Sequence, residues 1–162
     1  MNKTAIKNFA VWARNKLITD ITYKAGLIGV SEKGIANPLP QSSKDLQFFD
    51  IGTKNYAQVV GVEIGQRNAL VRAIQEKEST SDYQTAFKAI IEEIAYTWFN
   101  RLIAIRFMEV NDYLPSRIRV LSSDNPAKNE PDFVTTPFET DMEFTTVEQD
   151  RIMYLKDENK LD

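Results

Sequence analysis

Five basic side chains are spaced so that they could hold DNA phosphate. Lys3 and Lys7 are four apart and Arg14 follows seven further on, so on a helix the three line one flank. Arg117 and Arg119 alternate within Arg-Ile-Arg-Val-Leu at 117–121, and on a short strand they would share one side. An ordinary solvated surface is the competing account of each of the five. A different pairing sits in residues 98–115, WFNRLIAIRFMEVNDYLP. There Arg106 and Glu109 are three apart and can meet as an ion pair on one flank of a helix, while Arg101 points about 140° away and needs another acceptor. Glu158-Asn159-Lys160 has the Glu-x-Lys form used by PD-(D/E)xK nucleases. It falls on an expected terminal helix rather than on paired strands, and chance explains such a triplet.

The composition closes off other chemistry. Among 162 residues there is no cysteine and no histidine, which excludes disulfides, thiolate metal sites, a Ser-His-Asp triad, a zinc finger and an HExxH centre. Charge interrupts MNKTAIKNFAVWARNK too often for a secretory signal, and no stretch approaches the roughly 18 apolar residues of a membrane span. A cytoplasmic protein with no membrane partner is expected. The net charge of −3 is unevenly placed. Residues 1–121 hold 16 Lys+Arg against 12 Asp+Glu, whereas residues 122–162 hold 4 against 11, giving +4 and −7.

The elements that would position these groups are helical. Ile6, Phe9, Ala10, Ala13, Leu17, Ile21, Ala25 and Ile28 recur at steps of three and four, which predicts an amphipathic helix stopped by Gly34 and Asn-Pro-Leu-Pro at 37–40. Residues 41–54 read as a loop with a short ordered piece at 46–49. A second helical stretch begins near Asn55, with Val59, Val60, Ile64, Leu70, Val71 and Ile74 on one face and Arg67 intruding; 59–64 also reads as a short strand. Gly61 and Gly65, four apart, mark either close helix packing or a local weak point. Ser81 with Gln84 forms a capping box for a third helix through Tyr83, Phe87, Ile90, Ile91, Ile94 and Ala95 into the 98–110 run. That run is apolar around its whole circumference, which predicts a central helix buried on all sides. Residues 122–141 carry three prolines and read as an arm or long loop. A last helix is expected from Thr146, using Val147, Met153 and Leu155. The ending Lys160-Leu161-Asp162 has no capping residue and reads as a cut.

Several of these runs match a known family. Phe-Asn-Arg-Leu-Ile-Ala-Ile-Arg-Phe-Met-Glu-Val-Asn-Asp-Tyr-Leu-Pro resembles a segment near the N-terminus of the PglX-type adenine-specific DNA methyltransferases of BREX phage-defence systems. The opening Met-Asn-Lys-Thr-Ala-Ile-Lys-Asn-Phe-Ala-Val-Trp-Ala-Arg, the Ala-Gly-Leu-Ile-Gly at 25–29 and the Arg-Ile-Arg-Val-Leu-Ser-Ser at 117–123 are similar to the same proteins, so the resemblance covers most of residues 1–123. It implies a fragment of a much longer enzyme that methylates adenine N6 from S-adenosylmethionine. Such chemistry needs a glycine-bearing loop after a strand for the methyl donor and Asn/Asp-Pro-Pro-Tyr/Phe for a flipped adenine. There is no Gly-x-Gly here, and Asn37-Pro38-Leu39-Pro40 and Asn125-Pro126-Ala127-Lys128 lack the paired prolines and the aromatic.

The expectation is therefore a mainly α protein. Residues 1–121 form a helical bundle-like N-terminal domain with a short strand or hairpin. Residues 122–162 form an extended acidic, proline-containing arm and terminal helix leading into a catalytic domain not present. This chain holds no catalytic, cofactor or metal residues; S-adenosylmethionine and double-stranded DNA belong to the parent protein. The first function expected is a non-catalytic domain that packs on the catalytic part and touches DNA backbone. The alternatives are a module docking other BREX subunits and a stand-alone nuclease.

Overall fold

A computed structural model describes residues 2–158. The fold is mainly α with two small antiparallel hairpins, and the chain divides into two compact units, Met1–Phe99 and Asn100–Asp162.

In the first unit, helix α1 (Lys3–Leu27) is opened by Asn2, whose side-chain oxygen accepts the Ala5 N–H at 3.1 Å. The predicted apolar stripe is used unequally. Ala13 and Ala25 are buried and Ile21 and Ile28 lie on the core, joined there by Ile18 from outside the stripe, but Ile6 and Phe9 stay about half exposed. The helix ends at Gly29, which has φ +73°; a Cβ there would meet the Cβ atoms of Ala36 and Phe49 at 3.1 Å, so both conformation and space call for glycine. Strands β1 (Val30–Ser31) and β2 (Gly34–Ile35) follow as a hairpin with Val30 opposite Ile35.

The ordered piece at 46–49 is strand β3 (Leu46–Phe49), paired antiparallel with β4 (Ala57–Val60). The helix expected from near Asn55 therefore begins late. Val59 is fully buried between the exposed Gln58 and Val60, the alternation of a half-buried strand, and helix α2 starts only at Val62 (Val62–Glu78). Gly61, at φ +51°, makes the strand-to-helix turn. Neither it nor Gly65 has an atom within 4 Å of where a Cβ would sit, so the pair does not bring helices together.

Helix α3 (Tyr83–Val110) is capped by Asp82 rather than by the predicted Ser81. The Asp82 carboxylate accepts the Thr85 N–H at 3.0 Å and the Thr85 hydroxyl at 2.6 Å, while the Ser81 hydroxyl donates back to the Lys77 carbonyl. The core joins the end of α1, β1, α2 and the first half of α3 through Ala25, Val30, Ile74, Ala86, Phe87, Ile90 and Ile91. Tyr83 adds a hydroxyl bond of 2.7 Å to the Ser31 carbonyl.

The second unit begins inside α3 and corrects two expectations. The 98–110 run is not buried on all sides: Ile103, Phe107 and Val110 are 44%, 60% and 59% exposed. Residues 117–121 form no strand, because no second strand is offered to them; their backbone groups are taken up by side chains and by a short helix instead. Residues 122–141, read as an arm or long loop, include the short α4 (Asp132–Thr135) and a 3₁₀ turn (Pro137–Glu139).

Helix α5 (Thr146–Asp157) starts where expected, with Thr145 and Glu148 in a reciprocal capping box. Its packed side agrees in part: Leu155 is half-buried as expected. Val147 and Met153 are 77% and 55% exposed, and it is Ile152 that joins Val120, Pro131, Phe133 and Phe144 around an apolar cavity of about 430 Å³. Of Glu158-Asn159-Lys160, the last two lie outside the described residues.

Candidate nucleic-acid interface

Lys3 and Lys7 are exposed on α1 and make no ion pair among the described residues. Arg14 is placed differently. Its Nη2 lies 3.0 Å from Glu92 Oε2 of α3, beside a recess of about 190 Å³ lined by Ala10, Ala95, Tyr96 and Phe99. This end of the flank turns towards the helix interface, not away from it. A phosphate at Arg14 would compete with a carboxylate already in contact, so of these three the available charge belongs to Lys3 and Lys7.

The second basic pair lies in the other unit. Arg117 is exposed with φ +57°, in the left-handed region, so it does not alternate with Arg119 on an extended backbone. Arg119 is bonded through Nε to the Asp124 carboxylate, and its own carbonyl accepts the Phe133 N–H at 2.9 Å. Arg119 is thus a tie within the unit, and Arg117 is the one of the two that reaches solvent.

Arg106 and Glu109 meet at 3.0 Å. The Glu109 side chain is fully buried and also accepts the Leu121 N–H, while Arg106 Nη1 donates to the Ser122 hydroxyl at 2.7 Å. The charges embedded in this apolar helix therefore have a positional use: they fasten residues 121–122 to α3. Asp132 continues the fastening. Its carboxylate accepts the Ser123 hydroxyl at 2.6 Å and the Asp124 N–H at 2.9 Å, and its N–H donates to the Ser122 carbonyl at 3.0 Å. The Ser123 hydroxyl, then the Asp124 N–H, hold the Asp132 carboxyl below the ordinary carboxylate range.

Sequence reasoning noticed Arg67 only as an intruder on an apolar face. Its residue exposure is 5%. Nε donates to the Ile28 carbonyl at 2.8 Å, Nη2 donates to the Ala36 carbonyl at 2.6 Å, and the guanidinium lies 3.9 Å over the Phe49 ring. Burial pushes its pKa below the usual guanidinium value. No local signal marks this role: α2 also carries Arg72, and Glu63, four positions before Arg67, offers a nearer partner in sequence.

The residues present do not fit S-adenosylmethionine. The first unit does hold a cleft of about 390 Å³ lined by Gly26, Gly29, Gly34, Asp50 and Thr53. Its strands are two-residue hairpin arms, however, and no Gly-x-Gly turn leads from a strand into a helix there. No cluster of three or more acidic, histidine or cysteine residues suited to a metal occurs among the described residues. No helix among them is long and apolar enough to cross a membrane. What the described residues offer is exposed positive charge at Lys3, Lys7 and Arg117, together with exposed apolar surface.

No protein-family model matches the chain, and no solved structure matches it. Two relatives match in sequence. Adenine-specific methyltransferase PglX of Lacticaseibacillus casei (strain Zhang) is 42% identical over 139 residues, 86% of this chain and 11% of that protein. Adenine-specific methyltransferase BrxX of Escherichia coli O9:H4 (strain HS) is 30% identical over 123 residues, 75% of this chain and 9% of that protein. The chain thus spans about a tenth of the length of these curated relatives. The likeness to PglX-type adenine-specific methyltransferases, first visible in the residues themselves, holds over most of the chain, which corresponds to a small part of those proteins.

Proposed function

We propose that residues 1–162 are a non-catalytic, N-terminal portion of a site-specific DNA adenine-N6 methyltransferase acting in BREX-type phage defence. The observation that carries this reading is the 42% identity over 86% of the chain to a protein of that name, of which the chain amounts to only 11%. In this reading the methyl donor and target adenine are held elsewhere in a cytoplasmic parent protein. Residues 1–121 are the domain that packs on the catalytic part, and residues 122–162 lead into it. DNA backbone contact falls first to Lys3, Lys7 and Arg117, the three nominated cations that no carboxylate occupies among the described residues.

The test is made on the intact protein, by measuring DNA affinity against salt concentration. Replacing Lys7 with Glu is expected to weaken binding and to flatten the log–log salt slope by about 0.9, the share of a single neutralised phosphate. An affinity and slope equal to the unaltered protein's would remove Lys7 from the interface. Loss of N6-methyladenine from host DNA when the gene is deleted checks the parent activity.

One observation favours a second reading, in which residues 122–162 dock another defence-system subunit. This segment carries −7 and exposes Asp141, Glu143 and Asp150 beside Phe138, Met142 and Tyr154. Deleting 122–162 from the intact protein, with subunit capture abolished and DNA affinity kept, would support it.

A further inference from the structure

Beyond Asn100, α3 presents Ile103, Phe107 and Val110 at helical spacings of four and three. Tyr113 completes the row, its ring 5.9 Å from that of Phe107 in an edge-on pair. The four are 44%, 60%, 59% and 64% exposed, and the neighbouring Ala104 is exposed too. A solvated helix face ordinarily carries its charges outward. Two charged groups of this half of the helix, Arg106 and Glu109, are engaged with each other and with Leu121 and Ser122. Single exposed apolar side chains are common on protein surfaces; a contiguous row on one helix, with aromatic anchors, is the signature of helix-in-groove or helix-on-helix contact.

We propose that this row is the docking surface for a segment of the same polypeptide outside residues 1–162, a segment that brings an apolar face against α3. The proposal rests on the reading that the chain is part of a larger methyltransferase. Length selects this occupant. The chain amounts to 11% and 9% of its relatives, so about nine-tenths of such a protein lies elsewhere and can supply the cover. Ala104, with its small side chain, leaves room for a second helix to approach at the usual 8–10 Å axis separation.

The experiment places the photo-reactive residue p-benzoylphenylalanine at position 107 of the intact protein, and at the exposed Lys54 as a control. Mixing with isotopically heavy protein separates links within one polypeptide from links between copies. The expected result is a cross-link from position 107 to a peptide of the same polypeptide outside residues 1–162, and its disappearance when the probe sits at 54. A link to a second copy, a link to residues 2–158 of the same chain, or no link overturns the proposal. The mass of the intact protein is read first: a polypeptide of only 162 residues would end the larger-enzyme reading itself, a failure distinct from a misplaced cross-link.

Discussion

At the scale of single residues, two buried charges do more than their surroundings suggest. Arg67 has no carboxylate partner among the described residues, yet its two carbonyl bonds and its aromatic floor tie the end of α1, the β1–β2 hairpin and β3 to α2. Replacing it with Met removes a desolvated charge but leaves the Ile28 and Ala36 carbonyls unpaired. The expected loss is about 3 kcal/mol of stability, from one to two poorly satisfied buried acceptors, read from denaturant midpoints. Lys is expected to rescue less than half, because an ammonium cannot span both carbonyls in a planar fork. Glu109 is the second case. Glu109→Ala is expected to cost about 2 kcal/mol, since a buried hydrogen bond to a charged group is removed. The Leu121 amide is expected to lose its protection from hydrogen exchange; an unchanged Leu121 rate would show that the carboxylate is not its anchor. Neither role was legible in the sequence beyond the spacing of Arg106 and Glu109. Both depend on contacts across 12 to 39 positions, which no local pattern encodes.

At the scale of elements, helices were legible where an apolar period ran into a clear stop, and boundaries failed where two codes overlapped. The Val-Val of β4 suits a strand and a helix alike, and pairing with β3 decided the matter. At the start of α3, Ser81 and Asp82 compete for one capping position, and the carboxylate takes it by reaching both the amide and the hydroxyl of Thr85. Those bonds, the Thr85 hydroxyl first, hold the Asp82 carboxyl below its ordinary range, and the Thr145 N–H and hydroxyl do the same to Glu148. The sign follows from linkage. A lowered folded pKa means that the unfolded chain binds more protons between the two values, so this stabilisation is present above the ordinary carboxylate range and disappears as pH falls through the folded pKa. Asp82→Asn keeps a capping oxygen but cannot titrate. It is expected to flatten the acid side of the stability profile below about pH 4, while Asp82→Ala lowers the whole profile. Identical acid limbs for the unaltered protein and the Asp82→Asn variant would refute the assignment.

At the scale of the whole chain, the mainly α class and the likeness to a methyltransferase were both readable from residues, because periodicity and identity are properties of the string. The fate of the 98–110 helix was not. An all-round apolar helix was expected inside this chain's own core, and that inference assumed that 162 residues contain everything that helix touches. On the proposal above, its exposure is the mark left by polypeptide that the relatives possess and these residues do not include. The Arg67 clasp has a further, temporal consequence. It joins positions 31 and 39 residues apart, so its loop-closure entropy falls due before its bonds form. Local helices and hairpins are expected to assemble first, and the clasp to close late. Arg67→Met is accordingly expected to accelerate unfolding while leaving the refolding rate nearly as it was. A stopped-flow measurement in which refolding slowed instead would place the clasp at the start of the folding reaction.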